Sequence, residues 1–336
     1  MIVLPDKLIS MSINKETPLT VQEIDILFHA MIGTGIGKAA EKNIIYSSIP
    51  VSPEEKQRAI KYKVNEAAGQ IAEIFAFVRA KNSLPIEEIE RDIIPVINEA
   101  VEIPHVYYLF QELYEKDEYT YRHTICVAVI AGLLGKWLGF GQAELRELEL
   151  AGILHDIGKT MVPEYILRKP GKLTQKEFEE IKKHTIHGYR LIRHTSLPDS
   201  ISLSALQHHE REDGTGYPFR LKGSQIHPVA KIIAVADVFH AMSSDRVYRN
   251  AEPFYKVIAK MNEDVYGRFD PAILLVFIRR LMETLIGKRV RLSDGTEGVI
   301  LLNHPYNPLR STIMADNQEI IDLSKYRHLN IDKVLE

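Results

Sequence analysis

Residues 206–218 read LQHHEREDGTGYP and combine two adjacent histidines with a charged segment and a glycine-rich turn. On a helix, His208 and His209 project about 100° apart, so both reach one metal ion only if it lies near the helix end. Gly214 and Gly216 end that helix and let backbone approach a ligand closely. The stretch therefore predicts half of a metal site followed by half of a substrate pocket.

The segment ELELAGILHDIGK, residues 147–159, supplies the next candidate ligands. Leu148, Gly152 and His155 follow a helical stripe, which directs His155 toward the core. Asp156 follows directly, and a buried carboxylate must be paired or metal-bound because burying an isolated charge is costly. The dipeptide alone leaves two interpretations open: a hydrogen-bonded His–Asp pair in a helical core, or two metal ligands.

Three further helices each present a candidate ligand. His123 lies in the apolar segment YTYRHTICVAVIAG. His184 shares a helix face with Ile181 and is therefore aimed at the core. Asp237 is the only acid in an apolar helical stretch, so it is either an unpaired buried carboxylate, which is unfavourable, or a ligand. His240 on the same helix is a weaker candidate.

Five histidines and two aspartates form a ligand set of nitrogen and oxygen atoms, which suits two divalent metal ions such as Fe, Mn, Co or Ni. In one economical partition, Asp156 bridges the two ions. The first ion then takes His123, His155 and Asp237, and the second takes His184, His208 and His209. Two ions about 3.5–4 Å apart can bind a bridging hydroxide and neutralise a phosphodiester. Phosphoester hydrolysis is the chemistry that this set serves best.

Composition limits the alternatives. The chain has 336 residues, 26% of them charged, and a net charge of −3, so no basic field attracts a nucleic acid polymer. The single cysteine, Cys126, excludes an intramolecular disulfide and a thiolate zinc site and fits a reducing compartment. No apolar run reaches ~18 residues and no signal peptide is apparent. We therefore expect a cytoplasmic chain that does not cross or bind a membrane.

Periodicity predicts a mainly α chain in four parts. Residues 1–50 form a small N-terminal region of uncertain α/β fold, and residues 51–106 a helical connector. Residues 107–286 form an all-helical bundle that carries the candidate ligands. Residues 287–336 alternate short strands with turns, with Asp294 and Gly295 as a hairpin signal, and predict a small antiparallel β unit.

Four motifs together resemble one known family. They are HDIGK at 155–159, His184, HHEREDGTGYP at 208–218 and DVFHAMSSDRVYR at 237–249. This combination is similar to the HD-GYP family of the HD superfamily, bacterial phosphodiesterases that cleave cyclic di-GMP. The likeness extends from near Tyr107 to Leu285. It implies an HD-type helical bundle and a catalytic domain over residues 107–286.

The resemblance also implies a role for each matching residue. The metal ligands are His123, His155, Asp156, His184, His208, His209 and Asp237. Lys159 matches the family lysine that contacts the metal-bound water or phosphate, so Lys159 and Asp156 are the catalytic pair. Gly216, Tyr217 and Pro218 match the element associated with guanine binding. Arg246 and Arg249 match residues that face the phosphates, although Arg249 pairing with a surface acid stays open.

One departure concerns the number of metal ions. Some members of the family carry a glutamate four residues before the first histidine and bind a third metal ion there, whereas this chain has Tyr119. A phenol is a poor ligand for a hard cation, so we expect two divalent ions, Fe or Mn. His240 stands where many relatives have an acid, and we expect it to support a ligand.

These observations predict a phosphodiesterase that hydrolyses cyclic di-GMP to pGpG through a hydroxide bridging two metal ions. The sequence leaves open whether pGpG is cleaved further to GMP, and whether the chain forms a homodimer. One alternative is a hydrolase of another cyclic dinucleotide, such as cyclic GMP-AMP. Another is a non-catalytic cyclic di-GMP receptor, although such receptors tend to lose ligands and none is lost here.

Overall fold

A computed structural model describes residues 53–102, 119–243 and 253–335, with side chains from residue 62 in the first range and from residue 121 in the second. The described residues from Lys56 onward cluster into one compact unit. The predicted N-terminal region, residues 1–50, lies outside the described residues. The same holds for Arg246, Arg249 and the side chain of Tyr119.

The described chain is mainly helical, as predicted. Its helices are α1 (Pro53–Lys81), α2 (Ile86–Glu88), α3 (Ile94–Val101), α4 (Tyr119–Trp137), α5 (Gln142–Leu154), α6 (Glu164–Leu167), α7 (Gln175–Lys182), α8 (His184–Ile192), α9 (Asp199–Gln207), α10 (Pro228–Ser243), α11 (Phe254–Glu263) and α12 (Pro271–Glu283). A π-helical turn, Ile89–Ile93, joins α2 to α3, and short 3-10 helices span Ile157–Met161 and Gly223–Gln225.

Local signals explain where several helices begin. Thr174 caps α7: its side chain accepts from the Glu177 amide at 3.3 Å, and the Glu177 carboxylate accepts from the Thr174 amide at 2.7 Å. Asp270 caps α12 in the same way, with its carboxylate accepting from the Ala272 amide at 2.9 Å. Such caps satisfy amides that have no partner inside the helix.

Helix α4 lies at the centre of the helical bundle. All side chains from Ile125 to Ala131 are fully buried, including Cys126. Helix α5 packs closely against α4 at Gly152, where an added Cβ would lie 2.5 Å from the Ala128 Cα. Both helices lead to candidate ligands, so this contact positions the site. No helix in the described ranges combines the length and apolar character that a bilayer crossing requires.

The helices of the predicted connector share the bundle's core. Ile71 and Phe75 on α1 and Ile97 on α3 are buried in the same apolar cluster as α4. On α4, Tyr121 meets the Phe75 ring edge-on at 5.4 Å between centroids. The connector is therefore helical and packed on the bundle, while its boundaries at residues 51 and 106 stay a prediction.

The predicted C-terminal β unit is a five-stranded antiparallel sheet in the order β4-β3-β2-β1-β5. Its strands are β1 (Arg289–Leu292), β2 (Glu297–His304), β3 (Asn307–Ala315), β4 (Ile320–Asp322) and β5 (Ile331–Val334). Asp294 and Gly295 form the β1–β2 turn, with Gly295 at a φ of +90°. The Asn303 side chain donates to the Met282 carbonyl at 2.7 Å, which ties the sheet to the end of α12.

Candidate metal centre

The first group of candidate ligands surrounds Asp156, which follows the end of α5. Its other members are His184, His208 and His209, and the ligand atoms of the four residues all lie within 4.8 Å of one another. Asp156 Oδ1 lies 3.3 Å from His184 Nε2 and 3.8 Å from His208 Nε2. Helix α8 begins at His184 and α9 ends just before His208, so two helix ends converge on one carboxylate.

The second group contains His123 on α4, His155 and Asp237 on α10. His123 Nε2 lies 3.0 Å from Asp237 Oδ1. His155 Nε2 lies 3.2 Å from Asp156 Oδ2, so the two groups meet at Asp156, with one carboxylate oxygen turned toward each. The structure thus brings together all seven residues that the sequence singled out, in the two sets that the bridging partition predicts.

Backbone carbonyls set the tautomers of three of these histidines. The Nδ1 atoms of His155, His184 and His208 lie 2.7 Å from Gly152 O, 2.6 Å from Ile181 O and 3.0 Å from Ala205 O. A carbonyl only accepts hydrogen bonds, so each Nδ1 carries the proton. Each neutral ring therefore presents an unprotonated Nε2 to the cluster, which is the form that binds a metal ion.

Burial and charge keep these side chains in their ligand forms. Burial lowers the pKa of His184 to about 3 and that of His209 to about 4, so both rings are neutral at pH 7. Burial opposes ionisation of Asp156, but the nearby Lys159 ammonium and His155 outweigh it and hold the pKa of the carboxyl well below its usual range. Neutral His184 and His209 thus lie beside a charged Asp156, whereas for His155 the neighbouring Asp156 outweighs burial and raises the pKa.

Two polar atoms at the centre of the cluster lack hydrogen bonds. His155 Nε2 and Asp156 Oδ1 are buried and have no hydrogen-bond partner among the described residues. Buried polar atoms of this kind are rare, because each loses its hydration without compensation. Both atoms belong to the two ligand groups, and a divalent cation bound there would satisfy them. The residues therefore fit divalent metal binding.

The glycine-rich turn folds back onto the paired histidines. The Tyr217 ring stacks on the His209 ring at 4.7 Å with an interplanar angle of 30°, and the Tyr217 amide donates to His209 O at 3.2 Å. A Cβ at Gly216 would lie 2.5 Å from both the Glu210 Cα and His209 O, so only glycine fits there. Gly216, Tyr217 and Pro218 thus adjoin the cluster, as the sequence predicts.

Glu210 completes this loop, and the sequence does not indicate its role. The buried carboxylate accepts from the amides of Phe219 at 2.7 Å and Leu221 at 2.9 Å. It is neither exposed nor a member of a ligand group. Sequence reasoning missed this function because nothing local indicates that amides nine and eleven residues ahead need an acceptor.

Two of the other predicted site residues lie next to the cluster, and two lie outside the described residues. Lys159 Nζ lies 2.5 Å from Asp156 Oδ2, with about a quarter of its side chain exposed. His240 Nδ1 lies 2.8 Å from His123 Nδ1, behind the cluster. Arg246 and Arg249 lie in residues 244–252, which the structure does not describe, so their predicted contact with phosphate has no structural counterpart here.

Comparison with known proteins places the chain in a family. The model for the HD domain matches residues 108–273. The cyclic di-GMP phosphodiesterase PA4108 of Pseudomonas aeruginosa is 34% identical over 265 residues, which cover 76% of this chain and 64% of the relative. The 3'3'-cGAMP-specific phosphodiesterase 3 of Vibrio cholerae is 38% identical over 46% of this chain and 34% of its own length. This chain thus spans less than two thirds of either relative.

The fold has a counterpart among solved structures. Bd1817, an HDG"Y"P protein from Bdellovibrio bacteriovorus, superimposes with a TM-score of 0.51 over 78% of this chain and 81% of that one, at 16% sequence identity. At this identity the likeness concerns the fold alone. Residues 108–273 of this chain match the HD domain, and the motifs at residues 155–159 and 208–218 are similar to those of the HD-GYP family of the HD superfamily.

Proposed function

We propose that this chain is a metal-dependent phosphodiesterase that hydrolyses cyclic di-GMP to pGpG. The observation that carries the proposal is the position of Asp156, which turns one oxygen toward each of two groups of buried candidate ligands. The stacked Tyr217 beside this cluster supports a nucleotide as the substrate. The printed name of the Pseudomonas relative supports cyclic di-GMP in particular.

The proposed ligands would hold two divalent ions with Asp156 as the shared residue. We propose Fe or Mn, because a set of imidazoles and carboxylates without thiolate suits these ions. When bound, such ions would lower the pKa of a coordinated water molecule and neutralise negative charge on a phosphodiester. We propose two ions rather than three because Tyr119, a poor ligand, stands four residues before His123.

Lys159 is proposed to act directly on the substrate. Its ammonium lies at the exposed side of Asp156, where a phosphate oxygen approaching the cluster would come within reach. A lysine there donates a charge-assisted hydrogen bond to the phosphate and stabilises the charge that develops as the ester bond breaks. Gly216, Tyr217 and Pro218 are proposed to contact guanine, and Arg246 with Arg249 to face the phosphates.

Product analysis tests the proposal directly. Protein purified without oxygen and loaded with Fe or Mn is incubated with cyclic di-GMP, and the products are separated by chromatography. We expect pGpG from the wild type, with GMP appearing if the linear product is cleaved further, and no product from Asp156→Ala. Absence of product from the loaded wild type, or equal product from the variant, contradicts the proposal.

A second candidate substrate is cyclic GMP-AMP, because a relative 38% identical to this chain bears that specificity in its name. Turnover of the two dinucleotides at equal concentration separates the candidates. A receptor without catalytic activity would instead bind tightly and release no product when loaded with metal. We also propose a cytoplasmic location and the domain boundaries given above. A homodimer is a further possibility of the proposal, and size-exclusion chromatography tests it.

A further inference from the structure

A groove of about 520 Å³ lies beside the glycine-rich turn, between that turn and helices α7 and α8. Pockets of roughly 300–1,000 Å³ accommodate small ligands. Two aromatic side chains, Phe178 and Tyr217, line this groove together with basic residues. None of the proposed metal ligands or Lys159 is among its lining residues, so it is separate from the cluster itself.

Tyr217 connects the groove to the metal centre. Its ring stacks on His209 at 4.7 Å between centroids, and the Phe178 ring meets it edge-on at 6.4 Å. The Tyr217 ring therefore separates the groove from His209, a proposed ligand. Phe178 is 42% exposed although it is a large apolar side chain, so part of its ring is free to stack on a base.

The groove is also positively charged. Lys182 Nζ lies 4.8 Å from the Phe178 ring centroid and 5.5 Å from that of Tyr217. Lys183, Arg211 and Arg220 line the same groove. Glu179, the single acid among the lining residues, pairs with Lys182 at 2.8 Å, so the cations outnumber the acid. Aromatic rings beside several cations favour a nucleobase that carries a phosphate, because the rings stack on the base and the cations attract the phosphate.

We infer that this groove binds the second nucleotide of a cyclic dinucleotide, the half whose phosphate is not at the metal centre. Phe178 and Tyr217 stack on its base, and Lys182 and Arg220 attract its phosphate. A cyclic dinucleotide carries two phosphates, and the metal centre neutralises one of them, so the other needs cations elsewhere. The inference rests on the proposed function and adds Phe178, Lys182 and Arg220 as residues that determine specificity.

Kinetics with two substrates tests this role. Cyclic di-GMP would occupy both the centre and the groove, whereas bis(p-nitrophenyl) phosphate has neither a purine nor a second phosphate. We expect Phe178→Ala, which removes a stacking ring, and Lys182→Gln, which removes a cation, each to lower the ratio of kcat/KM for cyclic di-GMP to that for the small diester by at least about fivefold. An unchanged ratio overturns the inference.

Two controls match these substitutions. Tyr165 is a 73% exposed aromatic residue, and Lys176 is an exposed lysine on α7; neither lines the groove. Tyr165→Ala and Lys176→Gln are therefore expected to keep the ratio within about twofold of the wild type. A fall in the controls as large as in the groove variants means that general loss of surface structure, not the groove, sets the ratio.

Equilibrium binding separates failure of the groove from failure of the proposed function. We expect the Kd of cyclic di-GMP, measured by calorimetry with metal-free protein in chelator and again with Ca²⁺-loaded protein, to rise at least about fivefold in both groove variants. Equal Kd values in the wild type and the groove variants, or no binding by the wild type in either state, overturn the inference that the groove binds the second nucleotide. If the wild type binds but releases no product, the phosphodiesterase proposal fails and the Kd comparison still decides the groove.

Discussion

The Nδ1 atoms of His123 and His240 lie 2.8 Å apart, so these two buried rings share a hydrogen bond between α4 and α10. His123 Nε2 is 3.0 Å from Asp237 Oδ1, on the opposite side of the ring. The contact therefore fixes the orientation of a proposed ligand. His240 belongs to neither ligand group and acts through His123.

We predict that His240→Ala weakens metal binding by about 10–100-fold, as is usual when the residue that orients a ligating histidine is lost. His240→Asn, which keeps a polar group toward His123, should recover part of the affinity. Competition with a chromophoric chelator measures both values. His187→Ala is the control, because His187 lies on α8 but is in neither ligand group. An unaltered affinity in His240→Ala would show that the ring pair does not orient His123.

The Glu210 carboxylate gives a second prediction. Both of its oxygens accept from backbone amides, those of Phe219 and Leu221. A glutamine keeps the shape but places an NH₂ group against one of those donors, which leaves a buried amide unpaired. We expect Glu210→Gln to lower the free energy of unfolding by about 1–3 kcal/mol.

Urea titration of the metal-free protein measures this change. Glu263→Gln serves as the control, because Glu263 is an exposed residue at the end of α11 and should change stability by less than about 0.5 kcal/mol. The loop that Glu210 holds carries Tyr217, so the variant should also raise the KM for the cyclic dinucleotide. Equal unfolding free energies in wild type and Glu210→Gln would rule out a structural role for the pair of contacts.

Several candidate ligands were predictable because they lie at regular positions relative to an apolar helix face. His155 follows the stripe through Leu148 and Gly152, and Asp237 interrupts an apolar helix. Periodicity thus indicates which side chains face inward, and the cost of burying charge indicates that inward acids and histidines need a shared partner. The mainly α bundle and the C-terminal sheet follow from the same periodicities.

Contacts between distant segments could not be predicted in this way. The groove depends on Phe178 of α7 meeting Tyr217, and the loop depends on Glu210 reaching past Pro218. Neither pair has a spacing that a helix or strand would bring together. Such contacts depend on how elements pack, and a single sequence records only which faces are apolar.

Gly158 also makes a close contact with a distant segment. It lies in the 3-10 helix Ile157–Met161, where an added Cβ would be 1.9 Å from His184 O and 2.4 Å from the Gly188 amide nitrogen. Both atoms are backbone, so the segment cannot yield by rotating a side chain. We expect Gly158→Ala to destabilise the protein by about 1–3 kcal/mol or more and to displace His184, which weakens metal binding.

A matched glycine tests whether the effect is local. Gly69 lies inside α1 with no atom within 4 Å of an added Cβ, so Gly69→Ala should raise the free energy of unfolding by about 0.5–1 kcal/mol. Thermal and urea unfolding of the two variants give the comparison. If Gly158→Ala is as stable as the wild type, the close packing of the 3-10 helix against α8 is not required.

The buried histidines predict how stability depends on pH when metal is removed. Burial lowers the pKa of His184 to about 3 and of His209 to about 4, from an ordinary value of 6.5. Below pH 6.5 the unfolded chain therefore binds protons that the folded chain does not, and folding loses stability as pH falls. Their contribution is fully present above pH 6.5 and is lost progressively down to pH 4 for His209 and pH 3 for His184. Each group gives a slope of about 1.4 kcal/mol per pH unit within its window.

Urea unfolding in chelator at pH 7.5, 6.0 and 5.0 measures this slope. The lowered pKa of Asp156 has the same sign but acts only below the ordinary range of a carboxyl group, whereas burial raises the pKa of Glu149 to about 7, which opposes the loss between pH 6.5 and 5. His209→Gln removes one titrating group and should make the curve shallower over that interval. Adding a divalent ion at pH 6 should restore stability, because the ion binds only the neutral rings and competes with protons for them. The difference in slope between the wild type and His209→Gln isolates the histidine, and equal slopes in the two proteins would mean that burial does not hold the His209 ring neutral.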